Sequence, residues 1–259
     1  MNILQAGIFG IVEGITEFLP VSSTFHLILT AKLLGVAENG FQKVFEIAIQ
    51  SGAILAVATT FTTTLRNNRE LGKKVLVAFI PTALVGFLLY SLIKNVFLEN
   101  FFLQIGMFIL VGILFILFEK YSSHSYLRSI ADITYKEALL VGFAQSLAVI
   151  PGVSRAGAVI LALMMLSVNR KDAALFSFLV AVPTILAAGI FDIVKSRADI
   201  ATQQDVLLLA VGTIASFAVA HMTLAWLLKY LQTHTIALFG WYRIALGSLL
   251  ILAAAYGVI

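Results

Sequence analysis

Two acidic side chains interrupt an otherwise apolar stretch near the start of the chain. Glu13 and Glu17 are four residues apart, and in a helix this spacing places both carboxylates on one face. Because unpartnered charges are costly in apolar surroundings, the pair indicates a defined role. Three roles are compatible with it: an ion pair with a basic side chain, a divalent-cation site built from oxygen ligands, or a carboxylate acting as general base.

A turn with two hydroxyl groups follows, and then a histidine. Pro20 ends the first helix, and Ser22 or Ser23 can cap the next one, whose N–H groups and positive dipole end favour an anion. His26 comes three residues after Ser23, on the same helical face, and supplies a proton carrier beside a hydroxyl. Plain capping and a structural histidine are the alternatives, and the neighbouring carboxylates favour a catalytic site.

The segment PGVSR offers a second helix start, with Ser154 as its cap and Arg155 directly after it. A guanidinium keeps its charge, so Arg155 in an apolar segment requires an anionic partner. Glu13 or Glu17 would be a permanent partner, whereas a phosphate group also suits the planar guanidinium. We favour phosphate.

Other polar residues stand in apolar segments farther along the chain. Glu46 and Gln50 repeat the four-residue spacing, and Gln145 precedes Arg155 by ten residues. We expect Glu46 and Gln145 to lie around the bound substrate, with Glu46 the nearer of the two. Arg243 is interpreted as a structural counter-charge.

The composition identifies the surroundings in which these residues must work. Hydrophobic residues make up 61% of the 259 residues and charged residues 12%, and the mean hydropathy is +1.03, far outside the range of soluble domains. Lys and Arg cluster in short loops, with no basic helix that would bind nucleic acid. Cysteine is absent, which excludes disulfides and thiolate chemistry.

Apolar runs between charged breaks predict an all-α polytopic membrane protein. The six predicted transmembrane helices lie at about 43–63, 73–94, 99–119, 173–194, 205–229 and 236–258. Two further segments, at about 3–35 and 135–167, are broken at their centres by LPVSS and PGVSR, and each is predicted to be a re-entrant helical hairpin.

The two halves of the chain are related in sequence. Aligning Gly10 with Gly142 places Glu13 on Gln145 and Ser22 on Ser154. We therefore expect one membrane domain over residues 1–259, with repeat halves 1–120 and 132–259. Each half holds one hairpin and three crossings, an odd number, so the sequence predicts an inverted repeat.

The distribution of Lys and Arg predicts the orientation. On this topology one side carries ten of these residues and the other five, and the richer side should be cytoplasmic. Both termini would then face outward. The two hairpins would enter from opposite faces and meet near the midplane of the membrane.

The strings around the candidate residues resemble a known family. EGITEFLPVSSTFH is similar to the acidic motif of the undecaprenyl-diphosphate phosphatase family of the bacitracin-resistance type, and PGVSRAGAV is similar to its second motif. FEIAIQSGAILAV, DITYKEALLVGFAQSLA, FSFLVAVP and WYR also look like that family. The resemblance covers nearly the whole chain, in order.

This resemblance implies an enzyme of the bacterial plasma (inner) membrane whose active site opens to the outer, periplasmic face. The enzyme would remove the terminal phosphate of undecaprenyl diphosphate, with a divalent cation (Mg or Ca). It would thereby recycle the lipid carrier for peptidoglycan and other cell-wall polymers and confer bacitracin resistance. The positions that match functional positions of the family are Glu13, Glu17, Ser22, Ser23, His26, Ser154 and Arg155.

A mechanism combines the resemblance with the residue chemistry. Glu13 and Glu17, with the cation, would hold the diphosphate, while Arg155 and the two helix N-termini neutralise charge on the transferred phosphoryl group. Ser23 or a water molecule would attack, with His26 moving the proton. A phosphoserine, a phosphohistidine and direct hydrolysis all remain open.

Three residues depart from the family pattern, and one other function class fits the same plan. Phe25 replaces a glycine, Ala156 a serine and Val159 a threonine. Inverted repeats with broken helices and a midplane anion site are also typical of secondary transporters, so a polyprenyl-phosphate flippase is the alternative. The cluster of Ser23, His26 and Glu17 favours the enzyme. The sequence leaves the oligomeric state open, a homodimer included.

Overall fold

A computed structural model describes residues 1–37, 39–97, 100–122, 127–196 and 202–256. Within these ranges the protein is helical, and no strand is present apart from an isolated bridge between Arg128 and Val168. The ends of two predicted spans, residues 99 and 257–258, lie outside the described residues.

The helices follow the apolar pattern of the sequence. A π-helical turn, Ile93–Phe97, continues the short helix α5. The helices are α1 Ile3–Thr16, α2 Ser23–Leu33, α3 Gly40–Asn67, α4 Arg69–Leu88, α5 Tyr90–Leu92, α6 Phe101–Tyr121, α7 Tyr135–Ser146, α8 Arg155–Met165, α9 Arg170–Ser196, α10 Gln203–Tyr230 and α11 Ala237–Ala255.

Six of these helices, α3, α4, α6, α9, α10 and α11, are long and apolar enough to cross a membrane, which confirms the predicted number among the described residues. The starts of α3 and α4 differ from the predicted ones because capping side chains, rather than hydropathy, define them. Asn39 accepts a hydrogen bond from the Gln42 amide at the start of α3, and Asn68 accepts one from the Leu71 amide at the start of α4. Helix α3 therefore extends beyond the predicted range of 43–63.

Both interrupted segments consist of two helices separated by a break. Ser22 precedes α2 with φ at 67°, and Ser154 precedes α8 with φ at 74°. Positive φ is uncommon for residues other than glycine and carries a conformational cost. The two halves thus place the same strained residue type at the same position, directly before the second helix of each broken segment.

Close helix contacts position both broken segments. Helix α1 packs along α10, where a Cβ on Gly10 would collide with the carbonyl oxygen of Gly212. Helix α7 packs along α4, where a Cβ on Gly142 would collide with the carbonyl oxygen of Ala78. Glycine at positions 10 and 142 is required for these distances, because the helix backbones touch directly.

An arginine in the loop after α6 secures the second broken segment. The Arg128 guanidinium donates to Glu137 Oε1 at 2.8 Å and Oε2 at 3.1 Å, at the start of α7. It also donates to the Leu166 carbonyl at 2.9 Å, at the end of α8. The hydrogen bonds from Arg128 to Glu137 lower the pKa of that carboxyl to about 2. One side chain therefore holds the start of α7 and the end of α8 together.

Candidate active site

The candidate site forms where the two broken segments touch. The Gly152 amide, in the turn before α8, donates to Ser22 Oγ at 3.3 Å, in the turn before α2. Residues that are 130 positions apart in the chain therefore become neighbours. The C-terminal end of α1 and the N-terminal ends of α2 and α8 all meet at this contact.

Glu17 is the centre of the site. Ser23 Oγ donates to Glu17 Oε2 at 2.5 Å, and Arg155 Nη2 donates to Glu17 Oε1 at 2.7 Å. Both charged side chains are largely buried, with 12% of Arg155 and 7% of Glu17 exposed. Hydrogen bonds to an ionised acceptor are short and strong. One carboxylate thus joins the candidate nucleophile to the candidate phosphate-binding cation.

The Arg155 guanidinium is held from several directions. Besides the bond to Glu17, its Nη1 donates to the Ser177 carbonyl of α9 at 2.8 Å. Its Cζ lies 6.0 Å from the centre of the Phe18 ring. Of the partners that the sequence left open, the structure pairs Arg155 with Glu17.

Glu13 is different from Glu17, although both are buried. Its side chain is fully buried, and no donor among the described residues hydrogen-bonds either of its carboxylate oxygens. The charged groups in its surroundings are Glu17, Glu46 and Arg155. Glu46 accepts a hydrogen bond from Gln42 Nε2 at 3.1 Å. Two acceptor oxygens without a protein donor in a buried place are suited to binding a cation.

The His26 ring is fixed through both nitrogens. Nδ1 lies 2.8 Å from the Ser22 carbonyl oxygen, and Nε2 lies 2.7 Å from the Tyr242 hydroxyl. Since a carbonyl can only accept, Nδ1 carries a hydrogen. The Ser23 hydroxyl donates to Glu17, so the geometry provides a carboxylate, rather than the imidazole, as the immediate base for that serine.

Arg243 of α11 is fully buried and binds backbone carbonyls. It donates to Phe108 O at 2.9 Å, to Pro20 O at 3.0 Å and, more closely, to Gly152 O. The interpretation of Arg243 as a counter-charge is wrong, because no carboxylate in the described part of the chain pairs with it. Breaks in helices leave carbonyls without amide partners, and these carbonyls satisfy the guanidinium at both turns.

Two predicted binding residues, Gln145 and Ser154, form hydrogen bonds with other groups of the protein. Gln145 Nε2 donates to Thr82 Oγ1 of α4 at 2.7 Å and to Thr184 Oγ1 of α9 at 3.2 Å. Ser154 Oγ caps α8 by accepting from the Gly157 amide at 3.1 Å, as predicted.

The predicted cap of α2 by Ser22 or Ser23 is wrong. No side chain caps α2, because Ser22 Oγ accepts from the opposite turn and the Ser23 hydroxyl donates to Glu17.

The residues that depart from the family pattern pack in the apolar interior. Phe25 is buried and stacks on Phe108, with ring centres 4.3 Å apart. Ala156 and Val159 are also buried, on the helix that begins with Arg155. Tyr242 is the site residue that sequence reasoning missed, although the WYR string contains it, because nothing local connects it with His26, 216 positions away.

Comparisons with known proteins identify the family of this chain. The family model for the bacitracin resistance protein BacA matches residues 6–249. A protein of Aquifex aeolicus named undecaprenyl-diphosphatase is 45% identical over 94% of this chain and 95% of its own length. Proteins of the same name in Sulfurihydrogenibium sp. and Methanococcus aeolicus are 44% and 42% identical, over 96% and 97% of this chain and 98% of their own lengths. This chain belongs to the bacitracin resistance protein BacA family.

Proposed function

We propose that this membrane protein hydrolyses undecaprenyl diphosphate to undecaprenyl phosphate and phosphate, and so recycles the lipid carrier for cell-wall synthesis. The family and the printed names of the relatives support this activity. The observation that carries the proposal is the Glu17 carboxylate, which binds the Ser23 hydroxyl and the Arg155 guanidinium at the contact of the two turns. A base, a nucleophile and a cation in contact are suited to phosphoryl transfer.

In the proposed reaction Ser23 Oγ attacks the terminal phosphorus, and its proton passes to Glu17. The bond from that phosphorus to the bridging oxygen breaks, and undecaprenyl phosphate leaves with the electron pair. Arg155 stabilises the negative charge on the transferred group. Water then attacks the phosphorus of the phosphoserine and gives its proton to His26 Nε2. The bond from phosphorus to Ser23 Oγ breaks, Ser23 takes its proton back from Glu17, and His26 passes its proton to the released phosphate. Direct attack by water would use the same groups without a phosphoserine.

The site fits a divalent cation, Mg²⁺ or Ca²⁺, through Glu13. Both Glu13 oxygens are buried without a protein donor among the described residues, whereas each Glu17 oxygen already accepts a hydrogen bond. No group of three or more His, Cys, Asp or Glu in the described ranges is arranged to hold a metal, so substrate oxygens would complete the coordination. When bound, the cation would neutralise charge on the diphosphate.

Phosphate release by the purified protein in detergent tests the function. We expect release from undecaprenyl diphosphate, a decrease when a chelator removes divalent cations, and recovery when Mg²⁺ or Ca²⁺ is restored. The control is the protein with Ser23→Ala, which should release little phosphate under the same conditions. Transfer of polyprenyl phosphate across vesicles without phosphate release would instead support the flippase.

We further propose that the chain is one membrane domain with halves 1–120 and 132–259, and that its two broken segments are re-entrant hairpins of an inverted repeat. The helix pairs support this arrangement: α1 with α7 and α10 with α4 are the corresponding elements, and α1 packs along α10 as α7 packs along α4. Gly10 and Gly142, which correspond in the alignment, stand at the two close approaches. The active site would open to the outer face of the bacterial inner membrane.

Single cysteines would test this topology in a chain that has none of its own. We expect positions 68 and 126 to label from the cytoplasmic side and positions 97 and 200 from the outside, because the excess of Lys and Arg lies with the first pair. Positions 126 and 200 lie outside the described residues. Labelling of 68 and 97 from one side would contradict the inverted repeat.

A further inference from the structure

We infer that Tyr242 is a positioning residue for the hydrolysis, which acts by holding His26 through Nε2. This inference rests on the proposed function. It assigns a role to a residue of α11, which lies outside both EGITEFLPVSSTFH and PGVSRAGAV. The Tyr242 hydroxyl lies 2.7 Å from His26 Nε2, and the two rings stack with centres 5.8 Å apart and planes 10° from parallel. A hydrogen bond and a ring contact thus join the same two side chains.

The opposite side of the imidazole determines what Tyr242 can do. Nδ1 must donate to the Ser22 carbonyl at 2.8 Å, so in the neutral ring Nε2 has the lone pair and accepts from the tyrosine hydroxyl. When Nε2 carries a proton, the same tyrosine oxygen can accept from it. The ring therefore keeps one orientation in both protonation states, and it needs no rotation to bind or release a proton at Nε2.

The adjacent residue explains how Tyr242 keeps a fixed position. Arg243 is fully buried and donates to the carbonyls of Pro20 and Gly152, one in each turn. These bonds fix α11 relative to both turns. Tyr242 is the residue before Arg243 in α11, so the Tyr242 hydroxyl has a fixed position relative to the site. A hydrogen-bond partner on a rigid element orients a catalytic group more accurately than one on a loop.

Replacement of the hydroxyl alone tests this role. We expect Tyr242→Phe to lower kcat for undecaprenyl diphosphate three- to tenfold, the range for one lost hydrogen bond, and to change KM less than twofold. The matched control is Trp241→Phe, a neighbouring aromatic residue on the exposed side of the same helix. It should keep the parent kcat and KM. A parent-like kcat in Tyr242→Phe would overturn the inference.

Two further measurements separate positioning from a structural contribution. In a His26→Gln background, Tyr242→Phe should cost less than twofold, because a residue that acts through His26 has nothing left to position. The same three- to tenfold loss in that background would overturn the inference. The ¹⁵N NMR signals of His26, assigned with His26→Gln, should show the Nδ1-protonated form in the parent and a displaced Nε2 signal in Tyr242→Phe.

An unchanged Nε2 signal would also overturn the role of Tyr242, whatever the rate. The NMR comparison needs no turnover, and it decides the question if the His26→Gln background is inactive. If the parent protein releases no phosphate, the proposed function fails, whereas the His26 to Tyr242 contact is still tested by its spectrum. The two failures are therefore distinguishable.

Discussion

Arg155→Ala is expected to lower kcat for phosphate release at least a hundredfold while the protein remains folded and extractable. The guanidinium lies at the start of α8 and bonds to Glu17 and to the Ser177 carbonyl. Removing one pre-positioned donor from a dry site costs about 10²- to 10³-fold in rate, roughly 3 to 4 kcal/mol. Alanine also leaves Glu17 without its cationic partner. The Glu17 carboxylate is then held less firmly, and it orients the Ser23 hydroxyl less well.

The measurement is the initial rate at saturating lipid, together with thermal stability in detergent. Arg66→Ala is the matched control, because Arg66 is an exposed arginine near the end of α3 and its removal should leave the rate unchanged. Near-normal turnover of Arg155→Ala would reduce Arg155 to a structural ion pair and exclude it as the phosphate-binding cation.

Glu17→Gln should be the second severe loss, at about 10²- to 10⁴-fold in kcat, the usual contribution of a general base. The amide has nearly the same size, but it cannot take the proton that Ser23 Oγ donates to Glu17 Oε2 across 2.5 Å. It also leaves the largely buried Arg155 guanidinium without a counter-charge, so we expect a lower thermal stability as well.

Rapid-quench analysis for a phosphoserine would identify the step that is lost. We expect no phosphoserine in Glu17→Gln, because Ser23 would lack its base. Glu70→Gln is the control, since Glu70 is an exposed carboxylate at the start of α4 and its variant should keep the parent rate. A Glu17→Gln rate within tenfold of the parent would show that the base for the attacking group lies elsewhere.

The general plan of the fold could be predicted from the sequence, because hydropathy and helix breaks are local properties. Runs of apolar residues long enough to cross a bilayer identified six helices, all of them present among the described elements. The strings LPVSS and PGVSR marked both breaks, where Ser22 and Ser154 adopt positive φ. Helix ends were less accurate, since caps such as Asn39 and Asn68 lie beyond the apolar runs.

The sequence alone determined which residue types are available for chemistry: two carboxylates one helical turn apart, a serine and a histidine on one face, and an arginine after a second break. Only the tertiary structure decided their partners. Ser23 and Arg155 share Glu17, His26 binds Tyr242, and Gln145 donates to two threonines. Apart from the nearby Ser23 and Glu17, these pairs lie on different helices, so their distances depend on helix packing and not on local periodicity.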